Sequence, residues 1–208
     1  MSEFLGIDIK TLDDGGINFC QTGLIRKVLE ATGMEHCNGL PAPTKVDAHL
    51  GTDANVSEAN RYWINSYAYV IGMMLYLASN IIPDISIYVH QCAWFTNNTK
   101  VSHETAVKRI CWYLQGTKEN VILFNSSKKM VVGCYADADF AGLWGPEDPQ
   151  DPICARSRTG FVVTFANFPL LWVSTLQTDI ALSTLHSEYV ALSRSFRELL
   201  TLKVLSKK

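Results

Sequence analysis

CYADADFAG, residues 134–142, sets two aspartates two positions apart in an otherwise apolar run. Side chains at i and i+2 of a β-strand share one face. Asp137 and Asp139 therefore aim two negative charges at the same place. Their repulsion calls for a cation nearby and turns the rest of the chain into a search for further ligands.

The sequence around this stretch is β-rich. VILF (121–124), MVVGCYADA (130–138), GFVVTFA (160–166) and LLWVS (170–174) read as strands, with Asn167-Phe168-Pro169 as the turn between the last two. A Pro- and Asp-rich loop over 145–158 separates the second and third. LSTLHSEYVALSRSFRELL (182–200) then reads as a helix. Leu185, Tyr189, Leu192, Phe196, Leu199 and Leu200 recur at helical spacing, and Ser183 is the candidate N-cap. The expected order is three strands in antiparallel hairpins, then a helix. Glu188 lies on that helix, and packing of helix on sheet brings Asp137 and Glu188 together at the strand edge. Gathered carboxylates suit Mg²⁺, a hard cation that prefers oxygen ligands. Two such ions about 4 Å apart stabilise the attacking and leaving oxygens of phosphodiester cleavage. A two-ion centre needs three or four carboxylates to balance its charge. By spacing alone, Asp137 reads equally as a strand-end turn former and Glu188 as an exposed helix residue near Arg194.

The first half reads differently. FLGIDIKTL, DDGG and INFCQ form a hairpin around a glycine turn. A helix follows over 22–32, with Ile25, Val28 and Leu29 on its apolar face and Gly33 at its end. Residues 36–60 read as an extended loop and 62–80 as a buried helix. Pro83-Asp84 opens another helix, DISIYVHQCAWF. Ser102 is placed to cap a third, with Val107, Ile110, Cys111 and Leu114 inward and Gly116 at its end.

Composition narrows the function classes. The chain has 208 residues, 48% hydrophobic and 18% charged, with a net charge of −2. It has the apolar mass for a core and is no general trap for nucleic acid. Basic residues cluster only as the pairs Lys108/Arg109, Lys128/Lys129 and Lys207/Lys208. Six cysteines stand singly with no CxxC, which excludes a zinc ribbon or redox pair and fits reduced thiols in the cytosol or nucleus. The first residues do not read as a signal peptide. Tyr62 to Pro83 lacks charge, but Asn65, Ser66, Ser79, Asn80 and four tyrosines mark it as a core helix and not a bilayer span.

Eight segments, in order, resemble the Pol polyprotein of copia-type LTR retrotransposons. FLGIDI is similar to the hairpin that follows the family's polymerase active site. QTGLIRKVLEATGMEHCNGLPAPT resembles its Q-x-x-Y-I-x-x-L-L-x-x-F-G-M-x-x-C segment with a trailing P-x-x-T. YAYVIGMMLYLASNIIPDISIYVHQCAWF resembles Y-x-x-x-I-G-x-L-x-Y-L-x-x-x-T-R-P-D-I. HETAVKRICWYLQGT resembles H-x-x-A-x-K-R-I-L-R-Y-L-x-G-T. YADADFAG, SRTGFVV, LLWVSTLQ and ALSTLHSEYVAL resemble segments of the family's ribonuclease H part.

The resemblance implies an α+β chain: a helical thumb- or connection-like region with an N-terminal hairpin (1–120), then an incomplete ribonuclease H-like domain (121–208). It matches Asp137 to the first catalytic aspartate and Glu188 to the catalytic glutamate, as ligands of Mg²⁺. Asp139 shares the strand face without a firm family role. Lys108 and Arg109 match the family's K-R pair and imply contact with template-primer phosphates. The implied partner is an RNA–DNA hybrid or template-primer, with no small-molecule cofactor and no membrane. The implied location is the cytoplasm, within a virus-like particle, or the nucleus. The family's Y-V-D-D type turn is not among these residues, and Asp8 and Asp84 do not replace it. The later ribonuclease H aspartate is also not encoded, so weak Mg²⁺ binding and little or no hydrolysis are expected. Two alternatives stand beside this fragment reading. One is a non-catalytic nucleic-acid-binding or assembly module. The other is a ribonuclease H completed by further sequence or a partner. Ile81-Ile82 in place of T-R, and His186 in place of an acidic residue, depart from the family pattern. His186 and Glu188, at i and i+2, face different ways and do not pair.

Overall fold

The computed structural model describes residues 2–44, 50, 61–125, 129, 131–142 and 153–205. The chain is a mixed α+β protein with two compact units, Met1–Leu123 and Phe124–Lys208. The expected loops fall partly outside the described residues, at 45–49, 51–60 and 145–152, as do Lys128, Lys207 and Lys208.

In the first unit the hairpin reading gains a strand. β1 (Ser2–Phe4), β2 (Ile7–Thr11) and β3 (Ile17–Cys20) run antiparallel, with β4 (Ile122–Phe124) beside β3. FLGI is itself a turn, because Leu5 and Gly6 both take positive φ (52° and 74°). Two such residues give the turn whose twist suits a two-residue hairpin. In DDGG, the Asp14 carboxylate accepts the Gly16 N–H at 2.9 Å.

α1 (Thr22–Thr32) buries Ile25, Val28 and Leu29, and Gly33 closes it in the left-handed conformation (φ 64°). The Met34 N–H then reaches back to the Leu29 carbonyl at 2.8 Å. α2 (Arg61–Asn80) buries Tyr67, Val70, Ile71, Met74, Leu77 and Ala78 along one face. After a 3-10 turn over Pro83–Ile85 comes α3 (Ser86–Ala93), followed by α4 (Val101–Thr117). These helices share one core with Val89, Cys92, Val107, Ile110, Cys111 and Leu114. Each large apolar side chain buried there is worth about 1.5–3 kcal/mol. Asp84 has a structural partner, since its carboxylate accepts the Tyr113 hydroxyl. Among the described residues no helix is long and apolar enough to cross a membrane.

Three local expectations are corrected. Ser102 does not cap α4: the Lys100 N–H donates to His103 Nδ1 at 3.0 Å. His103 is fully buried and stacks on Phe95 with ring centroids 3.9 Å apart, so packing fixes it as the acceptor. Gly116 does not end α4 either. The helix runs one residue further, and Gly116 is small because Gly39 lies against it; a Cβ on Gly39 would collide with the Gly116 backbone. Finally, α3 stops at Ala93, short of Phe95.

The second unit is the antiparallel meander β5 (Val132–Asp139), β6 (Arg158–Phe165) and β7 (Phe168–Leu176), in that order. The β6–β7 turn is Ala166-Asn167, both at positive φ (51° and 64°), one step before the expected Asn167-Phe168-Pro169. Phe168 and Pro169 lie in β7. Proline is tolerated there because β7 is an edge strand whose register shifts at Val163/Thr164. α5 (Thr184–Leu205) packs on β5 and β6. Ser183 caps it as expected, its Oγ accepting the His186 N–H at 3.1 Å.

The face that α5 turns inward is not the large apolar one. Ser187, Ala191 and Ser195 are fully buried, whereas Leu185, Tyr189, Leu192, Phe196 and Leu200 are exposed. Small residues at i, i+4 and i+8 let the helix backbone approach the sheet closely, and that approach excludes the larger stripe.

Two stability tests follow from this packing. Gly39→Ala should cost about 1–3 kcal/mol in urea unfolding by forcing two backbones apart. Gly72→Ala, on α2 with open space around it, should be neutral or stabilise by up to about 1 kcal/mol. The second test uses the buried thiols. Burial pushes Cys92 and Cys111 up to about 12 from an ordinary 9.0. In the unfolded chain they ionise near 9, whereas in the native state they stay protonated. Stability should therefore fall as pH rises from 9 towards 12, by about 1.4 kcal/mol per pH unit for each thiol. Cys92→Ala/Cys111→Ala, compared with the parent chain by chemical denaturation from pH 8 to 11, should flatten that slope.

Candidate functional site

Alternation along β5 decides where the two aspartates go. Tyr135, Asp137 and Asp139 are exposed, whereas Cys134, Ala136 and Ala138 between them are half-buried. The aspartates do share a face, but their neighbours differ. Asp139 lies opposite Arg158 on β6. Arg158 is almost fully buried, and burial lowers its pKa while the Asp139 charge opposes that shift. Its Nη1 also donates to Ser174 Oγ at 3.4 Å. Part of the positive charge that the pair demands is thus built into the protein. Asp139 also lies beneath the turn that follows, because a Cβ on Gly142 would strike its carboxylate.

Asp137 lies opposite Gly160, where an added Cβ would meet nothing within 4 Å. Its carboxylate therefore looks onto open space without a cation directly across the strand pair.

Glu188 lies in the first turns of α5, exposed, one residue after the buried Ser187. A side-chain bridge ties this end of the helix to the sheet. Gln177, nearly fully buried at the end of β7, donates through Nε2 to Thr159 Oγ1 at 3.1 Å and to the Ser187 carbonyl at 2.9 Å. Thr159 pairs with Ala138 on β5. Asp137 and Glu188 are thus the chain neighbours of the two ends of a continuous connection, from Ala138 through Thr159 and Gln177 to Ser187. Among the described residues no group of three or more His, Cys, Asp or Glu side chains comes together. Sequence reasoning assigned no role to Arg158 or Gln177. Both occur in quoted motif segments, SRTGFVV and LLWVSTLQ, and nothing local marks either as inward-pointing.

The basic pair on α4 separates. Lys108 is engaged with Glu104 at 2.5 Å, one helical turn earlier. Arg109, on the adjacent face, lines a cavity between α3 and α4.

With this geometry established, the chain can be compared with known proteins. It is 32% identical over 188 residues, 88% of its length, to the retrovirus-related Pol polyprotein from transposon TNT 1-94 of Nicotiana tabacum. It is 27% identical over 94% of its length to the corresponding polyprotein from transposon RE1 of Arabidopsis thaliana. An uncharacterized mitochondrial protein of Arabidopsis thaliana is 26% identical, with 94% of this chain and 76% of that protein aligned. No family profile matches the chain, and no solved structure matches it. Over about nine-tenths of its length the chain is similar to Pol polyproteins of copia-type transposons. It spans 13% of the length of the tobacco polyprotein and 12% of the RE1 polyprotein.

Gln177→Leu removes both hydrogen bonds that tie α5 to the sheet and should cost about 1–3 kcal/mol. Hydrogen exchange should show the loss first in the amides of the opening turns of α5.

Proposed function

We propose that the chain corresponds to the end of the reverse transcriptase and the start of the ribonuclease H region of a copia-type Pol polyprotein. Its second unit then contributes Asp137 and Glu188 to a Mg²⁺ site acting on the RNA strand of an RNA–DNA hybrid. One observation carries this reading. Eight motif segments lie in family order, within an alignment that covers 88% of the chain at 32% identity. The geometry is compatible with it. Asp137 faces open space, and the Gln177 connection holds the Glu188 end of α5 against the strand pair next to it. A ribonuclease H-like topology for this unit belongs to the same proposal.

Mg²⁺ keeps most of its waters and binds through one or two carboxylates. Asp137 and Glu188 can supply that much. The two ions of a phosphodiester-cleaving centre need more negative charge than two carboxylates carry. Asp139 does not make up the difference, since it already faces Arg158. The chain by itself binds Mg²⁺ weakly and cleaves little or nothing, and further Pol carboxylates complete the centre. The first unit would serve as the thumb- or connection-like part that holds template-primer.

Mg²⁺ titration of the full chain, followed by NMR of backbone amides, tests the reading. Shifts should centre on 136–139 and 186–189. Asp137→Asn and Glu188→Gln should each weaken affinity at least ten-fold, since even outer-shell changes cost about 10–100-fold at metal sites. Shifts that persist in both variants would remove this site. A hybrid-cleavage assay covers the remaining point: Mg²⁺-dependent cleavage by this chain alone, lost in Asp137→Asn, would show that the centre needs no further ligands.

A further inference from the structure

We propose that the cavity between the N-terminal hairpin, α1 and α2 binds a zwitterion of the free α-amino-acid class. The cavity has a volume of about 580 Å³, within the roughly 300–1,000 Å³ typical of small-molecule sites. Its charges stand on different elements. Glu3 of β1 and Asp8 of β2 line it from the hairpin, and Lys27 lines it from α1. Glu3 and Asp8 pair directly across the two strands, so their side chains share one face with Cβ atoms about 4.5–5.5 Å apart. Like charges so placed repel each other and call for a cation. Lys27 does not supply it, since neither carboxylate has an ion pair among the described residues.

Gln21 supplies an independent observation. It is the N-cap residue of α1, yet its side chain caps nothing. It lines the cavity instead, 1% exposed, with Nε2 and Oε1 both shielded from water and without a hydrogen-bond partner among the described residues. A buried carboxamide in that state lacks an acceptor for its N–H groups and a donor for its oxygen. An α-amino acid offers both, because its ammonium donates and its carboxylate accepts. The ammonium goes to Glu3 and Asp8. The carboxylate goes to Lys27 and to the first turn of α1, whose N–H groups have no carbonyl partner within the helix.

The remaining wall suits an apolar side chain. Tyr69, Met73 and Tyr76 stand at i, i+4 and i+7 on α2 and line the cavity together with Leu24 of α1. The Tyr76 hydroxyl donates to the Leu5 carbonyl at 2.6 Å, which pins the hairpin turn against α2. A Cβ added at Gly72 meets nothing within 4 Å, so the α2 wall leaves space beside it. A bare metal ion fits less well. Among the described residues no three His, Cys, Asp or Glu side chains come together, and an ion leaves the aromatic wall unused. The cavity lies in the first unit, wholly apart from Asp137 and Glu188, and does not rest on the reading given for them.

The test titrates the full chain with L-phenylalanine, phenylalaninamide and N-acetylphenylalanine, followed by NMR of backbone amides. The first probe carries both charges, the second only the ammonium and the third only the carboxylate. L-Phenylalanine should bind tightest and shift the amides of 6–8, 21–24 and 69–73. Asp8→Asn should weaken phenylalanine and phenylalaninamide about ten-fold, as expected for a charge-assisted hydrogen bond, and leave N-acetylphenylalanine unchanged. Lys27→Met should weaken phenylalanine and N-acetylphenylalanine several-fold and leave phenylalaninamide unchanged or tighter. Gln21→Leu should weaken phenylalanine without lowering the urea midpoint, because the amide it removes has no partner to lose. Gly72→Leu fills the cavity without removing a polar group. It should abolish binding, and it keeps the test valid if Asp8→Asn does not fold. No binding of phenylalanine at millimolar concentration overturns the proposal. So does equal affinity for the three probes, or equal binding by the parent chain and a folded Asp8→Asn. A lowered midpoint in Gln21→Leu shows its amide bonded within the fold and removes it from the site.

Discussion

The contact on which the second unit depends is the close seating of α5 on the sheet. Ser187, Ala191 and Ser195 present almost no side chain, so the helix backbone can lie close to β5 and β6, where Thr159, Phe161 and Val163 are all buried. Gln177 bonds across that seam to Thr159 and to the Ser187 carbonyl, which fixes where along the sheet the helix begins. The positions of both carboxylates follow from that fixed start. Glu188 is the next residue after the anchored carbonyl, and Asp137 precedes the residue paired with Thr159. A longer side chain at 187 or 191 would lift the helix and move Glu188 with it.

The aspartate pair resolves into two unlike groups. Asp139 lies opposite a buried arginine and packs under a turn. Asp137 faces a glycine and open space. Equivalent positions on one strand face therefore have different chemistry, set entirely by the strand across from them. The same division recurs on α4, where adjacent basic residues part company: Lys108 closes on Glu104, and Arg109 lines a cavity that has no carboxylate among its described lining residues.

The first unit is held by more ordinary means. One apolar face each of α1, α2, α3 and α4 closes a common core, and the edges of that core are set by polar details. Asp84 takes the Tyr113 hydroxyl, the Ser86 hydroxyl reaches the Ala78 carbonyl at 3.1 Å, and the Tyr67 hydroxyl reaches the Cys92 carbonyl at 2.9 Å. These bonds satisfy groups that would otherwise be buried without partners. Gly39 and Gly116 let the chain before α2 cross the end of α4 in direct backbone contact.

Much of this was legible from residue spacing alone. The bounds of α1, its buried Ile25, Val28 and Leu29, its closing Gly33, the three-strand meander and the Ser183 cap are local matters. They depend on periodicity, φ preference and hydroxyl chemistry within a few residues. The face that α5 buries was not legible, since its largest apolar stripe is the exposed one and only the sheet's demand for close approach selects Ser187, Ala191 and Ser195. The roles of Gly116, His103, Arg158 and Gln177 were hidden for the same reason: each is defined by a residue distant in the chain. The sequence by itself determined which segments become helix or strand and that Asp137 and Asp139 share a face, because those properties repeat with the backbone's own period. Only the tertiary structure decided which carboxylate meets an arginine, which of two adjacent basic residues closes on Glu104 and where Glu188 stands, because electrostatic pairing depends on what lies across the gap.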